Sequence, residues 1–235
     1  MIQARISQYL RTRDWHSAVL ELAIVVVGVY LGIEASNWNS ARQAAADERY
    51  YAERLISELD QSVRLLDSDI AIGRKAAAGS LRAVDAVREG AIDPSKPEAF
   101  VRDFQAANGM PEGTIVDGAI EELRSSGRMA LIGNRAIREG LSRYYAQLQS
   151  SRTQGRVSLD GWNAVLQELY REVDADFDMA GNRLSLLDPA SLNRNLRVSR
   201  ALTMANAYQQ AQVLNLEQLR NDTLALRDLI AKEID

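Results

Sequence analysis

A chain of 235 residues with 46% hydrophobic and 26% charged side chains can bury one sizeable core, which excludes wholesale disorder. It has no cysteine, so disulfides and thiolate metal sites are excluded as well. The net charge is −4; Arg5, Arg11 and Arg13 balance Asp14, Glu21 and Glu34, so the acidic excess lies from Arg42 onward. A duplex-binding surface carries a basic excess that displaces phosphate counterions, so nucleic acid is not an expected partner.

Residues 1–14 form a short basic tail, and residues 15–38 read as a transmembrane helix. Trp15 and Trp38 bracket an apolar run, and a helix between them is ~35 Å long, matching a hydrocarbon core of about 30 Å with tryptophans at both interfaces. The ten Leu, Ile and Val residues between Val19 and Ile33 each favour insertion by roughly 0.3–0.6 kcal/mol near the centre. Glu21 and Glu34 oppose it, but a carboxylate costs on the order of 3 kcal/mol only at mid-membrane, and both lie towards the ends. One alternative is a buried helix of a soluble protein, which the length and flanks disfavour; the other is a cleaved signal peptide with Ile33-x-Ala35 as its cleavage site, and acidic Glu21 within the apolar run favours an uncleaved anchor. The arginines of the tail set the expected orientation, with the N-terminus inside the cytoplasmic membrane and the C-terminal domain periplasmic or otherwise extracytoplasmic.

Within this segment Gly28 and Gly32 lie about 20° to either side of Glu21 on a helical wheel, and Ser36 extends the row. Small residues let two backbones approach closely, so Glu21, Gly28, Gly32 and Ser36 are the expected face of a homodimer formed through the membrane helix. The bland alternative is that glycine is common in such helices and Glu21 reaches the headgroups. Trp15, Asn37, Trp38 and Asn39 are the expected membrane-interface residues, with the lipid bilayer as the first partner.

Residues 39–235 read as a soluble α-helical domain. Ile56, Leu59, Val63, Leu66, Ile70, Gly73, Ala77, Ser80, Val84 and Val87 alternate spacings of three and four, which keeps one stripe facing a partner helix. Asp93-Pro94-Ser95-Lys96-Pro97 stops that helix. A short helix with Phe100 and Phe104 on one side follows over Pro97–Ala107, then a loop at Asn108–Gly113, then a second short helix over Thr114–Ser126 with Gly127 as its stop. Asn134 is the expected N-cap of a second long helix, whose stripe runs Ile137, Leu141, Tyr144, Leu148, Ser151, Gly155, Leu159, Trp162, Leu166, Leu169 and Val173, with a stutter at Gly155. After a loop over Asp178–Leu192, a last helix carries Leu202, Ala205, Leu216, Leu219, Thr223, Leu226 and Ile230.

The expected fold class is all-α: a transmembrane helix, then an antiparallel bundle of three long helices with the short helices at its distal end and no sheet. If the second long helix returns towards the membrane, the loop around Gly181–Ser191 brings Arg183, Arg194, Arg197 and Arg200 near headgroups, unless nearby aspartates neutralise them.

Little in the sequence points to chemistry. His16 is the only histidine and belongs to the membrane edge, so neither a Ser–His pair nor a histidine zinc site can be assembled in the soluble domain. Asp174-x-Asp176-x-Asp178 resembles the start of a calcium loop, but the sixth and twelfth positions hold Met179 and Ser185 where glycine and glutamate are needed. Glu121-Glu122 and Glu168-x-x-x-Glu172 read as solvated helix faces. No catalytic residue, cofactor or metal is expected.

Two stretches carry a family resemblance. One is Glu21-Leu22, the apolar run and Asn37-Trp38-Asn39, followed by Arg42 and by Tyr50-Tyr51-x-x-Arg54-Leu55-x-x-x-Leu59. The other is Ala119-Ile120-Glu121-Glu122-Leu123-x-x-Ser126-Gly127, Leu131-Ile132-x-Asn134 and Leu141-Ser142-x-Tyr144-Tyr145. Together they resemble a family of bacterial single-pass membrane-anchored helical proteins of uncharacterised function. The resemblance implies a shared architecture and brings no activity with it. The expected role is therefore a membrane-tethered, non-enzymatic interaction or scaffold module with an unknown protein partner. The alternative is a sensor-like domain with a small ligand between helices around Gly73–Ser80.

Overall fold

A computed structural model describes residues 15–178 and 183–234. The basic tail, with Arg5, Arg11 and Arg13, lies outside the described residues, as does Gly181 in the expected loop. The chain is predominantly helical, and contacts divide it into two units, Met1–Tyr50 and Tyr51–Asp235.

Helix α1 runs unbroken over Trp15–Glu89, 75 residues. Its portion within the first unit carries the apolar run, and Val19, Leu22, Val26, Val29 and Ile33 are each more than half exposed. This is the one helix among the described residues that is long and apolar enough to cross a membrane; its most apolar 18-residue window has a mean hydropathy of 2.0 and no buried residue. An apolar helix of a water-soluble core would hide at least one face, and this one hides none.

In the second unit, α1 supplies the seven-residue stripe expected of it. Leu59, Leu66, Ile70, Ala77, Val84 and Val87 are buried, joined by Leu55 and Ser62. Helix α2 spans Glu98–Ala106 and α3 spans Gly118–Ser125. Helix α4 spans Arg135–Arg171 and α5 spans Leu196–Ile234. The Asn134 side chain accepts from the amides of Ala136 and Ile137, the N-cap its sequence position foretold. Gly127 ends the α3 region at φ +70°, a left-handed conformation that a side chain would strain.

Side-chain bonds fix the directions of the long helices. Along α1, Asp60, Asp67 and Arg74 meet Arg227, Arg220 and Glu217 of α5, and Asn206 donates to the Ala77 carbonyl, so the two run antiparallel. Along α4, Tyr144 meets Thr223 and Ser151 meets Asn215, so α4 is also antiparallel to α5. It follows that α4 runs parallel to α1. The expected return of the second long helix is thus corrected. The segment between Gly90 and Asn134 makes the return instead.

That crossing separates the two short helices. Phe100 and Phe104 of α2 share a core with Val84, Val87, Leu169, Leu192 and Leu202, whereas Ala119, Ile120 and Leu123 of α3 share the other core with Tyr51, Leu55, Leu59, Leu141 and Ile230. The short helices are therefore at opposite ends of the unit, not together. Helix α3 also starts later than expected, because the amides of Gly113, Thr114 and Val116 are engaged by Asp69 and Ser62 of α1 rather than by a helical turn.

The expectation of no sheet is overturned as well. Strands β1 (Ala175–Asp178) and β2 (Arg183–Leu186) form an antiparallel pair with Asp176 opposite Ser185 and Phe177 opposite Leu184. The hairpin joins α4 to α5 at the end of the unit where the Arg194 amide donates to the Val87 carbonyl and Ile92 is held by Asn193. Tyr51 belongs to the other core. The premise that brought Arg194, Arg197 and Arg200 to headgroups, a returning α4, is removed, and Arg197 pairs with Glu172 at 2.9 Å.

Candidate functional site

All eight residues singled out in the N-terminal segment lie on α1. Trp15 and Trp38 are 60% and 66% exposed, and the Arg42 guanidinium sits 5.8 Å from the Trp38 ring centroid, a cation–π contact. Asn37 and Asn39 flank Trp38 in the same exposed turn. Because α1 is unbroken, the spacings of seven and four place Glu21, Gly28, Gly32 and Ser36 along one stripe. A Cβ built at Gly28 or Gly32 meets nothing within 4 Å, so neither glycine is needed for packing within the chain.

A second constellation joins the start of the second unit on α1 to α3. The Tyr51 hydroxyl donates to Glu122 at 2.7 Å, and the Arg54 guanidinium donates to the other Glu122 oxygen at 2.6 Å. Arg54 also donates to Glu58 at 3.0 Å, and the second Glu58 oxygen accepts from the Ala119 amide in the first turn of α3. The hydrogen bond from Tyr51, then that from Arg54, hold the Glu122 carboxyl below its ordinary range, and Glu122 in turn raises the pKa of Arg54. Glu122 keeps the solvent exposure read from sequence, its side chain 41% exposed, and in addition clamps α3 to α1, a pairing between residues far apart in the chain that local spacing does not show.

The small residues of α1 have a different role from the ligand space proposed for them. A Cβ on Gly73 would lie 2.7 Å from Pro111 and 2.7 Å from Val213, and one on Gly79 would lie 2.6 Å from Ala106. The room around Gly73–Ser80 is filled by the returning segment, which wedges between the long helices. Its carbonyls are satisfied from α5 and α4: Gln209 donates to Ala106 and Gly109 at 2.9 and 2.6 Å, Gln212 to Pro111 at 3.3 Å, and Trp162 to Ala107 at 3.0 Å. A buried backbone without such partners is costly, which explains why two glutamines are fully or nearly buried in the α5 stripe.

Beside the wedge a cleft of about 610 Å³ opens between the Asn108–Gly113 loop, α4 and α5. Leu148, Leu216 and Trp162 form its apolar floor, and Arg152 and Arg156 of α4 line it one helical turn apart. Arg152 is paired with Asp117 at 2.7 Å. Among the described residues no group of three or more Asp, Glu or His side chains is placed to hold a metal ion, and Asp176 of the calcium-like run lies in β1. Compared with known proteins, the chain matches no family model, no curated protein and no solved structure.

Proposed function

We propose that this chain is a single-pass protein of the cytoplasmic membrane, N-terminus inside, whose second unit is a non-enzymatic module that holds a protein partner near the bilayer. The observation that carries the reading is the apolar run of α1, long enough to span hydrocarbon and without a single buried residue in its most apolar window. The bracketing tryptophans support the same placement, as does the resemblance to membrane-anchored helical proteins. The open stripe of Gly28 and Gly32, with Glu21 and Ser36, supports self-association through the membrane helix.

A domain exchange tests the module. The full chain is purified from crosslinked membranes beside a chimaera that keeps residues 1–50 and carries an unrelated helical bundle. The reading expects a stoichiometric protein companion with the native chain alone. A companion retained equally by the chimaera, or none with either, contradicts it. A second reading, a sensor-like domain for a small ligand, draws on the cleft beside Met110–Gly113.

A further inference from the structure

We propose that the cleft between the Asn108–Gly113 loop, α4 and α5 binds a small amphipathic anion, an alkyl or aryl body carrying one carboxylate. It deepens the sensor-like reading by fixing the site and the ligand class, and it does not depend on membrane anchoring.

The cleft's volume, about 610 Å³, falls in the range of small-molecule sites, roughly 300–1,000 Å³. Its shape follows from the sequence. Leu159 lies on the α4 stripe that buries Leu148, Trp162 and Leu169, yet it is 42% exposed and lines the cleft instead. Gly155 contributes no side chain, and a Cβ there would come within 3.3 Å of the Gln212 amide. Leu159 and Trp162 thus present apolar surface to a concavity rather than to a partner helix, the arrangement that receives an apolar ligand body.

The walls are pre-formed. Gln212 ties α5 to the loop, and Asn215 donates to the Ser151 carbonyl at 3.1 Å, so the floor needs no rearrangement to accept a ligand. Charge selects the head group. Asp117 already engages Arg152, whereas Arg156 has no ion-pair partner among the described residues. Glu112, the other charged group of the lining, disfavours a second negative charge, which confines the ligand to a monoanion. A planar guanidinium beside apolar surface holds a carboxylate through paired N–H donors.

The test uses the full chain in nanodiscs of zwitterionic phosphatidylcholine, labelled with 5-fluorotryptophan, and 4-phenylbutyrate as the probe. The resonance assigned to Trp162 by its loss in W162F reports the cleft, and those of Trp15 and Trp38 report the bilayer. The proposal expects a saturable shift at Trp162 and about tenfold weaker binding of neutral 4-phenylbutanol, the scale of one charge-assisted hydrogen bond. R156Q removes the preference for the acid and leaves the alcohol unchanged, while L159Q weakens both; the two side chains are exposed, so neither change removes core packing. No saturable shift at Trp162, equal binding of acid and alcohol, or a preference that survives R156Q overturns the proposal.

Discussion

Replacing Gln209 by leucine tests whether the returning segment is held in the bundle by side-chain amides rather than by shape alone. Gln209 is fully buried, and its amide nitrogen donates to two backbone carbonyls, those of Ala106 and Gly109. Leucine fills nearly the same volume, so the change removes two hydrogen bonds without opening a large cavity. The Ala106 carbonyl keeps the Gly109 amide as a donor at 3.1 Å, so the Gly109 carbonyl alone is left dry and unpaired, at about 1–3 kcal/mol, and losing the native side chain's own unpaired oxygen offsets part of this. The net loss is about 1–2 kcal/mol. For a unit of this size that lowers the thermal midpoint by roughly 2–8 °C. The assay is thermal unfolding of the full chain in nanodiscs, followed by near-ultraviolet circular dichroism. Q218A is the control, since Gln218 is exposed and bonds only Asp222, and its midpoint stays within about 2 °C. A Q209L midpoint equal to that of Q218A would refute the reasoning, because the wedge would then need no amide clamp.

Gly73→Ala places a methyl 2.7 Å from both Pro111 and Val213; overpacking of about 1–3 kcal/mol outweighs the gain in helix propensity of about 1 kcal/mol, so the melting midpoint falls. Gly28→Leu and Gly32→Leu leave the melting of the second unit unchanged but abolish in-membrane crosslinking of two chains; undiminished crosslinking rejects the helix dimer. The Glu122 carboxyl is held low in the folded state, first by Tyr51 and then by Arg54, so its stabilising contribution is present above the ordinary carboxylate range and lost as pH falls through its depressed folded value. Protection factors of the Ala119–Leu123 amides, exchange rates divided into the intrinsic rate at each pH, therefore fall on acidification in the native chain. In Glu122→Gln they are already low at neutral pH, and the two converge in acid.

The long helices were legible because each buries a stripe of period three to four, and local signals marked their ends. Asn134 caps α4 and Gly127 takes a positive φ, as their positions foretold. Helix direction was not legible. It depends on the path of the segment between Gly90 and Asn134, whose loops carry no periodicity. The small residues around Gly73–Ser80 suggest room for a ligand, whereas their smallness admits another part of the chain. The hairpin has a weak signal: Ala175-Asp-Phe-Asp178 and Arg183-Leu-Ser-Leu186 each alternate apolar and polar residues, but a run of four is short, and its aspartates also match the start of a calcium loop. For the candidate sites, the exposed residues of the first unit follow from the sequence. The Tyr51–Arg54–Glu122 clamp and the cleft do not, since both join residues far apart in the chain.

Alkaline carbonate extraction of membranes containing the untagged full chain bears most directly on the central claim. If the unburied apolar run of α1 lies in hydrocarbon, the polypeptide sediments with the lipid and its N-terminal sequence begins before Trp15. Release into the supernatant, or a mature N-terminus beyond Ala35, would contradict it.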